Sequence, residues 1–275
     1  MIFIDLYTSK RFLINLYQKF KEDETSSLAT QLAYHLLLSV FPLLLFILTL
    51  LPYFSLPTAG LMNFISQHIP GTEGSAIAND IDSLLSKPRG GLLSLGLLVT
   101  LWTASNGVNA LIRSINRAYG VQETRSFIRT RLLSLFLTMA MVVVVALTLL
   151  LPVFGQLFIR ITTHFLFVPF EFKLLYHIVR WVCGIIIMVC VIMALYTIAP
   201  NEKCKPKEAF WGALVATFGW QAISFGFSIY VTNFSNYSAT YGALGGVIIL
   251  MIWFYLTGLI LILGGQINAT LKHMK

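Results

Sequence analysis

A ribbon of polar side chains interrupts an apolar part of the chain, in the stretch WTASNGVNALIRSINRAYG at residues 102–120. Residues spaced four apart, with asparagines beside them, would share one face of a helix. The ribbon consists of Ser105, Asn106, Asn109, Arg113, Asn116 and Arg117. Arginine donates two parallel hydrogen bonds to phosphate oxygens, and asparagine can add a third donor. The ribbon therefore predicts a path or a site for an anionic group such as a lipid headgroup.

A structural interpretation of the same ribbon competes with this one. The asparagines could hydrogen-bond to neighbouring helices, and the arginines could extend to the lipid headgroups. That interpretation is favoured for Arg117, whereas both stay open for Asn109 and Arg113. From their depth in the last apolar run, Gln266 and Asn268 are predicted as polar partners of the ribbon.

The elements that must position the ribbon are membrane helices. Of the 275 residues, 57% are hydrophobic and only 11% are charged, which is too few charges for a soluble domain. A helix needs about 20 apolar residues to cross the hydrocarbon core. Six long runs without acidic residues predict an all-α, multi-pass membrane protein with six transmembrane helices. They lie near residues 32–54, 92–112, 132–158, 176–199, 209–233 and 243–268.

The net charge of +8 is distributed unevenly along the chain. Lysines and arginines concentrate in the segments that lie on one side of a six-helix topology, and few lie on the other side. This asymmetry predicts that the N- and C-termini are cytoplasmic. Because topology explains the excess charge, membrane lipids are the predicted partners and no nucleic acid is. A homo-oligomer or an envelope-assembly partner stays open.

Two domains follow from these patterns. Residues 1–28 predict a cytoplasmic amphipathic segment that lies on the membrane surface or docks on the bundle, and residues 29–275 predict one six-helix domain. The outer loop, 55–91, predicts two short amphipathic helices, and Pro42 and Pro152 predict helix kinks. A polar cluster on the outer side has the tyrosines of an interfacial belt. It consists of Asn233, Asn236, Tyr237, Ser238, Thr240 and Tyr241.

The usual sequence signals of catalysis are missing. The spans contain no Asp or Glu, the five histidines are scattered, and no glycine-rich loop with lysine is present. We therefore predict no catalytic residues, no metal site, no cofactor and no enzymatic activity.

Three segments resemble the YihY/BrkB family of bacterial inner-membrane proteins. They are LAYHLLLSVFPLLL at 32–45, WTASNGVNALIRSINRAYGVQETR at 102–125, and NYSATYGALGGVIILMIWFYLTGLILILGGQINA at 236–269. The resemblance implies six helices and cytoplasmic termini. The family has carried a ribonuclease label, a virulence association and suggestions of lipid transport. It commonly has a glutamate where this chain has Gln266, so no mechanism that needs a carboxylate there is expected.

The ribonuclease label does not fit the acidic residues. They are dispersed over short cytoplasmic loops, with no folded domain that could converge them on metal ions. The predicted function is transport or positioning of an anionic lipid or envelope-lipid intermediate in the bacterial inner membrane. The alternatives are a non-transporting scaffold or envelope-integrity protein, and a small-solute channel.

Overall fold

The computed structural model describes residues 2–54, 89–143, 170–233 and 237–274, and the regular structure within these ranges is helical. The elements are α1 (Ile2–Glu22), α2 (Thr25–Leu50) with a 3₁₀ turn (Leu51–Phe54), α3 (Gly90–Tyr119), α4 (127–143), α5 (Phe170–Ile198), α6 (Pro206–Asn233) and α7 (Tyr237–His273). The predicted all-α class is confirmed.

Five helices in the described ranges are long and apolar enough to cross a membrane. They are Thr25–Leu50, Gly90–Tyr119, Trp181–Ile198, Pro206–Thr232 and Gly245–His273. Each corresponds to one of the six predicted runs. The remaining run, 132–158, is helical as far as residue 143, and the rest of it lies outside the described residues.

Several predictions concern parts of the chain that the structure does not describe. The two outer helices predicted in 55–91 fall almost wholly within 55–88, and Pro152 falls within 144–169. The side chains of the outer polar cluster are likewise outside the described part. Helix α2 continues through Pro42, which lies inside it. The predicted division after residue 28 stays a prediction.

Two compact units make up the chain, and residues 35–104 form the second of them. Within it, α2 and α3 approach closely, because a Cβ atom on Gly96 would lie 3.2 Å from the Cα atom of Phe46. The Thr100 hydroxyl donates to the Gly96 carbonyl (2.7 Å), and the Thr49 hydroxyl donates to Leu45 (2.9 Å). Such bonds satisfy hydroxyl groups within their own helix, as an apolar environment requires.

The first unit contains residues 1–34 and 105–275, and α6 packs there between α5 and α7. Gly212 on α6 faces Gly264 on α7, and a Cβ atom on Gly264 would lie 2.7 Å from the Gly212 carbonyl oxygen. The Tyr196 hydroxyl of α5 donates to the Leu261 carbonyl of α7 (2.5 Å). Small residues thus let the helix backbones touch.

Helix α1 packs against α7 and is followed by a tight turn into α2. Glu24 adopts a left-handed conformation in this turn, with a φ of 51°. The flanking residues Asp23 and Thr25 are buried, whereas Leu13 and Tyr17 of α1 are exposed. The turn therefore places the carboxylate of Asp23 in a buried position within the first unit.

Candidate functional site

Helix α3 ends in a left-handed glycine that redirects the chain. Gly120 has a φ of 67°, its amide donates to the Arg117 carbonyl (3.0 Å), and the Val121 amide donates to the Asn116 carbonyl (2.9 Å). These are the two bonds of a Schellman motif, which satisfies carbonyl groups that a helix end leaves without partners. The motif places loop 121–126 beside the last turn of α3.

Asn116 joins this loop to the α5–α6 loop. Its Nδ2 donates to Glu123 Oε2 (2.8 Å), and its Oδ1 accepts from the Asn201 amide (2.7 Å). The Asn201 side chain donates in turn to Thr124 Oγ1 (2.7 Å). Because Asn116 is buried and both ends of its amide are engaged, this ribbon residue serves as a connector in the structure.

Arg125 ties the same two loops together from the other side. Its Nη1 donates to the Ala199 carbonyl (3.0 Å), and its Nη2 donates to the Pro200 carbonyl (2.6 Å). Glu123 Oε1 accepts from the Arg125 amide (3.0 Å). The guanidinium thus satisfies carbonyl groups at the end of α5, which would otherwise lack donors.

Arg117 reaches the α1–α2 turn. Its Nη2 donates to the Glu22 carbonyl (2.9 Å), and its Nε lies 4.0 Å from Asp23 Oδ1. A third group, Glu24 Oε1, lies 3.9 Å from Nη2. The Arg117 side chain is partly exposed, so these ion pairs contribute little stability individually.

Gln266 lies fully buried against the same turn. Its Nε2 donates to Asp23 Oδ2 (2.9 Å) and to Thr25 Oγ1 (2.7 Å). Burial raises the pKa of Asp23, against the hydrogen bond from Gln266 and the charges of Lys19 and Arg117, which lower it. Gln266 is therefore connected to the ribbon through Asp23, which also lies beside Arg117.

Asn268 has a different partner, the backbone of α6. Its Oδ1 accepts from the Gly212 amide (2.7 Å), and its Nδ2 donates to the Ala209 carbonyl (3.1 Å). Both polar ends of this buried side chain are engaged, so Asn268 clamps α7 to α6.

The three ribbon residues nearest the start of the chain, Ser105, Asn106 and Asn109, have different surroundings. Ser105 is fully buried, and Asn106 Oδ1 accepts from Arg131 Nη1 of α4 (2.6 Å). Asn109 Oδ1 is buried and has no hydrogen-bond partner among the described residues. A buried amide oxygen without a donor is costly, so Asn109 Oδ1 is suited to accept from a further hydrogen-bond donor.

Arg113 is exposed, as Arg117 is, but within the described ranges Arg113 forms no hydrogen bond or ion pair. It lies in an open groove of about 370 Å³. The groove is lined by Arg113, Asn116, Arg117, Gly120, Val121, Gln122 and Glu123. A volume of this size is within the usual range of small-ligand sites, roughly 300–1,000 Å³.

Arg113 gives the groove a positive charge that no described carboxylate engages. Two of its side chains are guanidinium groups, and its one carboxylate, Glu123, is already engaged by Asn116 and Arg125. The carbonyl groups of Asn116 and Arg117, at the negative end of the α3 dipole, accept from Val121 and Gly120. The positive charge that remains available to a ligand is that of Arg113. The neighbouring Arg117 already contacts the Glu22 carbonyl and Asp23.

A buried thiol lies near the same end of α3. The Tyr119 hydroxyl is 3.5 Å from Cys204 Sγ, and burial raises the pKa of this cysteine. Lys272 pairs with Glu202 and lies 5.7 Å from the centre of the Tyr119 ring. Within the described ranges, no three histidine, cysteine, aspartate or glutamate side chains come together as metal ligands.

Several residues that build this end of the molecule carry no signal of the site in the sequence. Asp23, Glu123, Arg125 and Asn201 each belong to a loop or turn rather than to an apolar run. Glu123 alone lies close in sequence to the ribbon residue that it contacts, because it follows Asn116 by seven residues. The other contacts join positions 74 to 243 residues apart, such as Arg125 with Ala199 and Gln266 with Asp23.

Comparison with known proteins agrees with the resemblance in the sequence. The model of the family described as Virulence factor BrkB matches residues 16–275. A protein of Bacillus subtilis (strain 168), named as the ribonuclease-like protein YfkH, is 46% identical over 264 residues, which are 96% of each chain.

More distant relatives carry the name UPF0761 membrane protein. One from Tolumonas auensis is 29% identical over 273 residues, covering 96% of this chain and 86% of the relative. Another from Photobacterium profundum is 26% identical over 268 residues, covering 96% and 82%. No solved structure matches the chain. With a family model that covers nearly the whole chain and relatives that share its length, this membrane protein belongs to the YihY/BrkB family.

Proposed function

We propose that this protein binds the phosphate group of an anionic membrane lipid in the groove at the end of α3, and that it transports or positions that lipid. The observation that carries the proposal is Arg113, an exposed guanidinium without a partner among the described residues, in a groove that Arg117 also lines. Two guanidinium groups on one face can hold a phosphate by charge-assisted hydrogen bonds. Asn109, one helical turn before Arg113, extends the polar track along α3, because its amide nitrogen can donate to a phosphate oxygen.

The surroundings of the groove favour a lipid over a soluble phosphate. Helix α4 begins four residues after Glu123, and its first two side chains, Phe127 and Ile128, are 79% and 69% exposed. In a membrane protein, exposed apolar side chains next to charged loops can contact acyl chains just below the headgroups. A ligand at that level can keep its acyl chains among apolar side chains while its phosphate contacts Arg113.

We also propose that the membrane is the bacterial inner membrane and that the groove faces the cytoplasm. This orientation follows from the excess of lysine and arginine in the loops at this end of the helices. Anionic lipids of the cytoplasmic leaflet would then reach the groove directly.

The name of the Bacillus relative raises a nuclease as an alternative, and the described acidic residues do not favour it. Glu123 contacts Asn116 and Arg125, and Glu202 pairs with Lys272. Glu208 accepts from the amide of Lys205. Each of these carboxylates has a structural contact, which supports the proposal that the protein is not a ribonuclease.

A second candidate function, a membrane scaffold, is favoured by one observation. Asn116 and Arg125 knit two loops together through hydrogen bonds to Glu123, to the Asn201 amide and to the carbonyl groups of Ala199 and Pro200. If the ribbon residues only make such structural hydrogen bonds, the protein needs no ligand at this site. Arg113 distinguishes the two functions, because it takes no part in this network.

The proposal predicts that Arg113→Ala weakens lipid binding. The probe is short-chain phosphatidylglycerol, titrated into the purified protein in detergent. Loss of a charge-assisted contact of about 1.5–3 kcal/mol corresponds to an affinity lower by roughly ten- to a hundredfold. The control is Arg129→Ala, which removes the same charge from an exposed arginine that does not line the groove.

Two further ligands test whether the bound phosphate group belongs to an anionic lipid or to a soluble phosphate ester. Free glycerol phosphate should bind weakly, because it lacks acyl chains, and short-chain phosphatidylcholine should bind less tightly than phosphatidylglycerol. Equal losses in Arg113→Ala and Arg129→Ala would contradict the site. Strong binding of glycerol phosphate alone would replace the lipid by a soluble phosphate ester.

A further inference from the structure

The turn between α1 and α2 holds a buried carboxylate next to an amide that is only half satisfied. Gln266 Nε2 has three acceptors within reach: Asp23 Oδ2 at 2.9 Å, Thr25 Oγ1 at 2.7 Å and the Lys19 carbonyl at 3.5 Å. Gln266 Oε1, in contrast, is buried and has no hydrogen-bond partner among the described residues. The site therefore has a surplus of acceptors and lacks a donor.

One added proton would correct this imbalance. A protonated carboxyl group both donates and accepts, so it can form two parallel hydrogen bonds with a primary amide. Asp23 already accepts from Gln266 Nε2, and a proton on its other oxygen would supply the donor that Gln266 Oε1 lacks. Satisfying a buried oxygen in this way removes a desolvation penalty.

That other oxygen is also the one beside the groove. Asp23 Oδ1 lies 4.0 Å from Arg117 Nε, and Arg117 lines the groove together with Arg113. An ionised Asp23 therefore competes with any incoming anion for the charge of Arg117. A neutral Asp23 would leave Arg117 held only by the Glu22 carbonyl and the exposed Glu24.

We propose that Asp23 and Gln266 form a proton-binding site, and that proton uptake there strengthens anion binding in the groove by releasing Arg117. Only the second part of this inference, the effect on anion binding in the groove, rests on the proposed function. The charged groups that face Asp23 are Lys19 and Glu22 on α1 and Arg117 on α3, while α2 and α7 present the neutral Thr25 and Gln266.

The electrostatics of the buried turn agree with this geometry. Burial is the largest influence on Asp23 and raises its pKa, even though Lys19, Arg117 and the Gln266 hydrogen bond lower it. A raised pKa in the folded protein means that the neutral form is favoured by folding, so this contribution is present at low pH and is lost as pH rises through the raised pKa.

The first test measures binding of short-chain phosphatidylglycerol from mildly acidic to neutral pH. Its phosphodiester keeps one charge over this range, so a change in affinity reports the protein. The affinity of the wild type should rise as pH falls, by about two- to fivefold, because one partly exposed ion pair of Arg117 is lost. Asp23→Asn should bind at every pH as tightly as the wild type does at low pH, because asparagine is neutral and its amide can donate to Gln266.

Two variants keep this test decisive. Glu202→Gln removes a carboxylate that pairs with Lys272 instead, so it should retain the pH dependence of the wild type. Arg117→Gln leaves Asp23 in place and should lose the pH dependence, which preserves the test if Asp23→Asn does not fold. A pH dependence that persists in Asp23→Asn or in Arg117→Gln would overturn the coupling.

The second test detects the proton without any lipid. Infrared difference spectra of the lipid-free protein between two pH values should show the band of a protonated carboxyl group, and Asp23→Asn should lack it. Gln266→Leu should shift the band, because the hydrogen bond to the amide is gone. Absence of an Asp23 band would overturn the proton site, whereas a band without any lipid binding would uphold the proton site and overturn the proposed function.

Discussion

Gly212→Ala is expected to destabilise the protein strongly. A Cβ atom at this position would collide with the Gly264 carbonyl oxygen and with the side-chain amide of Asn268. Helices α6 and α7 would have to separate, and the bonds of Asn268 to the Gly212 amide and the Ala209 carbonyl would lengthen or break. Overpacking together with one or two lost hydrogen bonds predicts a loss of about 2–4 kcal/mol in the free energy of unfolding.

Gly226→Ala is the matched control, because Gly226 lies on the same helix and a Cβ atom there meets nothing within 4 Å. Alanine is better than glycine in a helix by roughly 0.5–1 kcal/mol, so this variant should be neutral or slightly more stable. Thermal unfolding of both variants in one detergent makes the comparison. Equal midpoints for the two would show that the Gly212–Gly264 contact is not tight.

Asn116→Asp should also destabilise the protein, through charge rather than volume. The new carboxylate keeps an acceptor for the Asn201 amide, but it loses the donor to Glu123 and lies beside a second carboxylate. Because Asn116 is buried, we expect a loss of about 2–3 kcal/mol in the free energy of unfolding.

A second substitution tests whether the pair is responsible. In Asn116→Asp combined with Glu123→Gln, the donor and acceptor exchange places, so most of the lost stability should return. Glu123→Gln alone serves as the reference for the weakened contact with Arg125. Residues in contact should have non-additive effects on stability. A double variant that is as unstable as Asn116→Asp would therefore show that repulsion between residues 116 and 123 is not the cause of the instability.

The helices of this protein could be predicted from its sequence, because continuous apolar runs dominate local preference in a membrane. The ends of the apolar runs, however, are not the ends of the helices. Helix α3 extends to Tyr119, seven residues beyond the apolar run that ends at 112, as a helical ribbon through Arg117 requires. Its last two turns bury Ile115 and Ala118 on one side, while the arginines lie on the other. Helix α2 begins at Thr25, before the apolar run that starts near 32, and the Thr25 hydroxyl accepts from Gln266.

The polar ribbon was visible from spacing alone, but the division of roles within it was not. Periodicity places Arg113, Asn116 and Arg117 near one another without saying which of them has a partner. The partners Asn201 and Asp23 are 85 and 94 positions distant from Asn116 and Arg117, and only the tertiary structure brings them together. Gln266 and Asn268 were assigned from depth alone, which could not select Asp23 or the α6 backbone as their partners.

The most direct measurement of the central claim is the transbilayer movement of labelled phosphatidylglycerol in proteoliposomes. We compare the wild type with Asn109→Ala, Arg113→Ala and the control Arg129→Ala, after matching insertion and folding. The proposed lipid path predicts movement by the wild type and by Arg129→Ala, with a large decrease in Asn109→Ala and Arg113→Ala. Undiminished movement in those two variants, or no movement by a folded wild type that binds the lipid, would contradict transport through the groove.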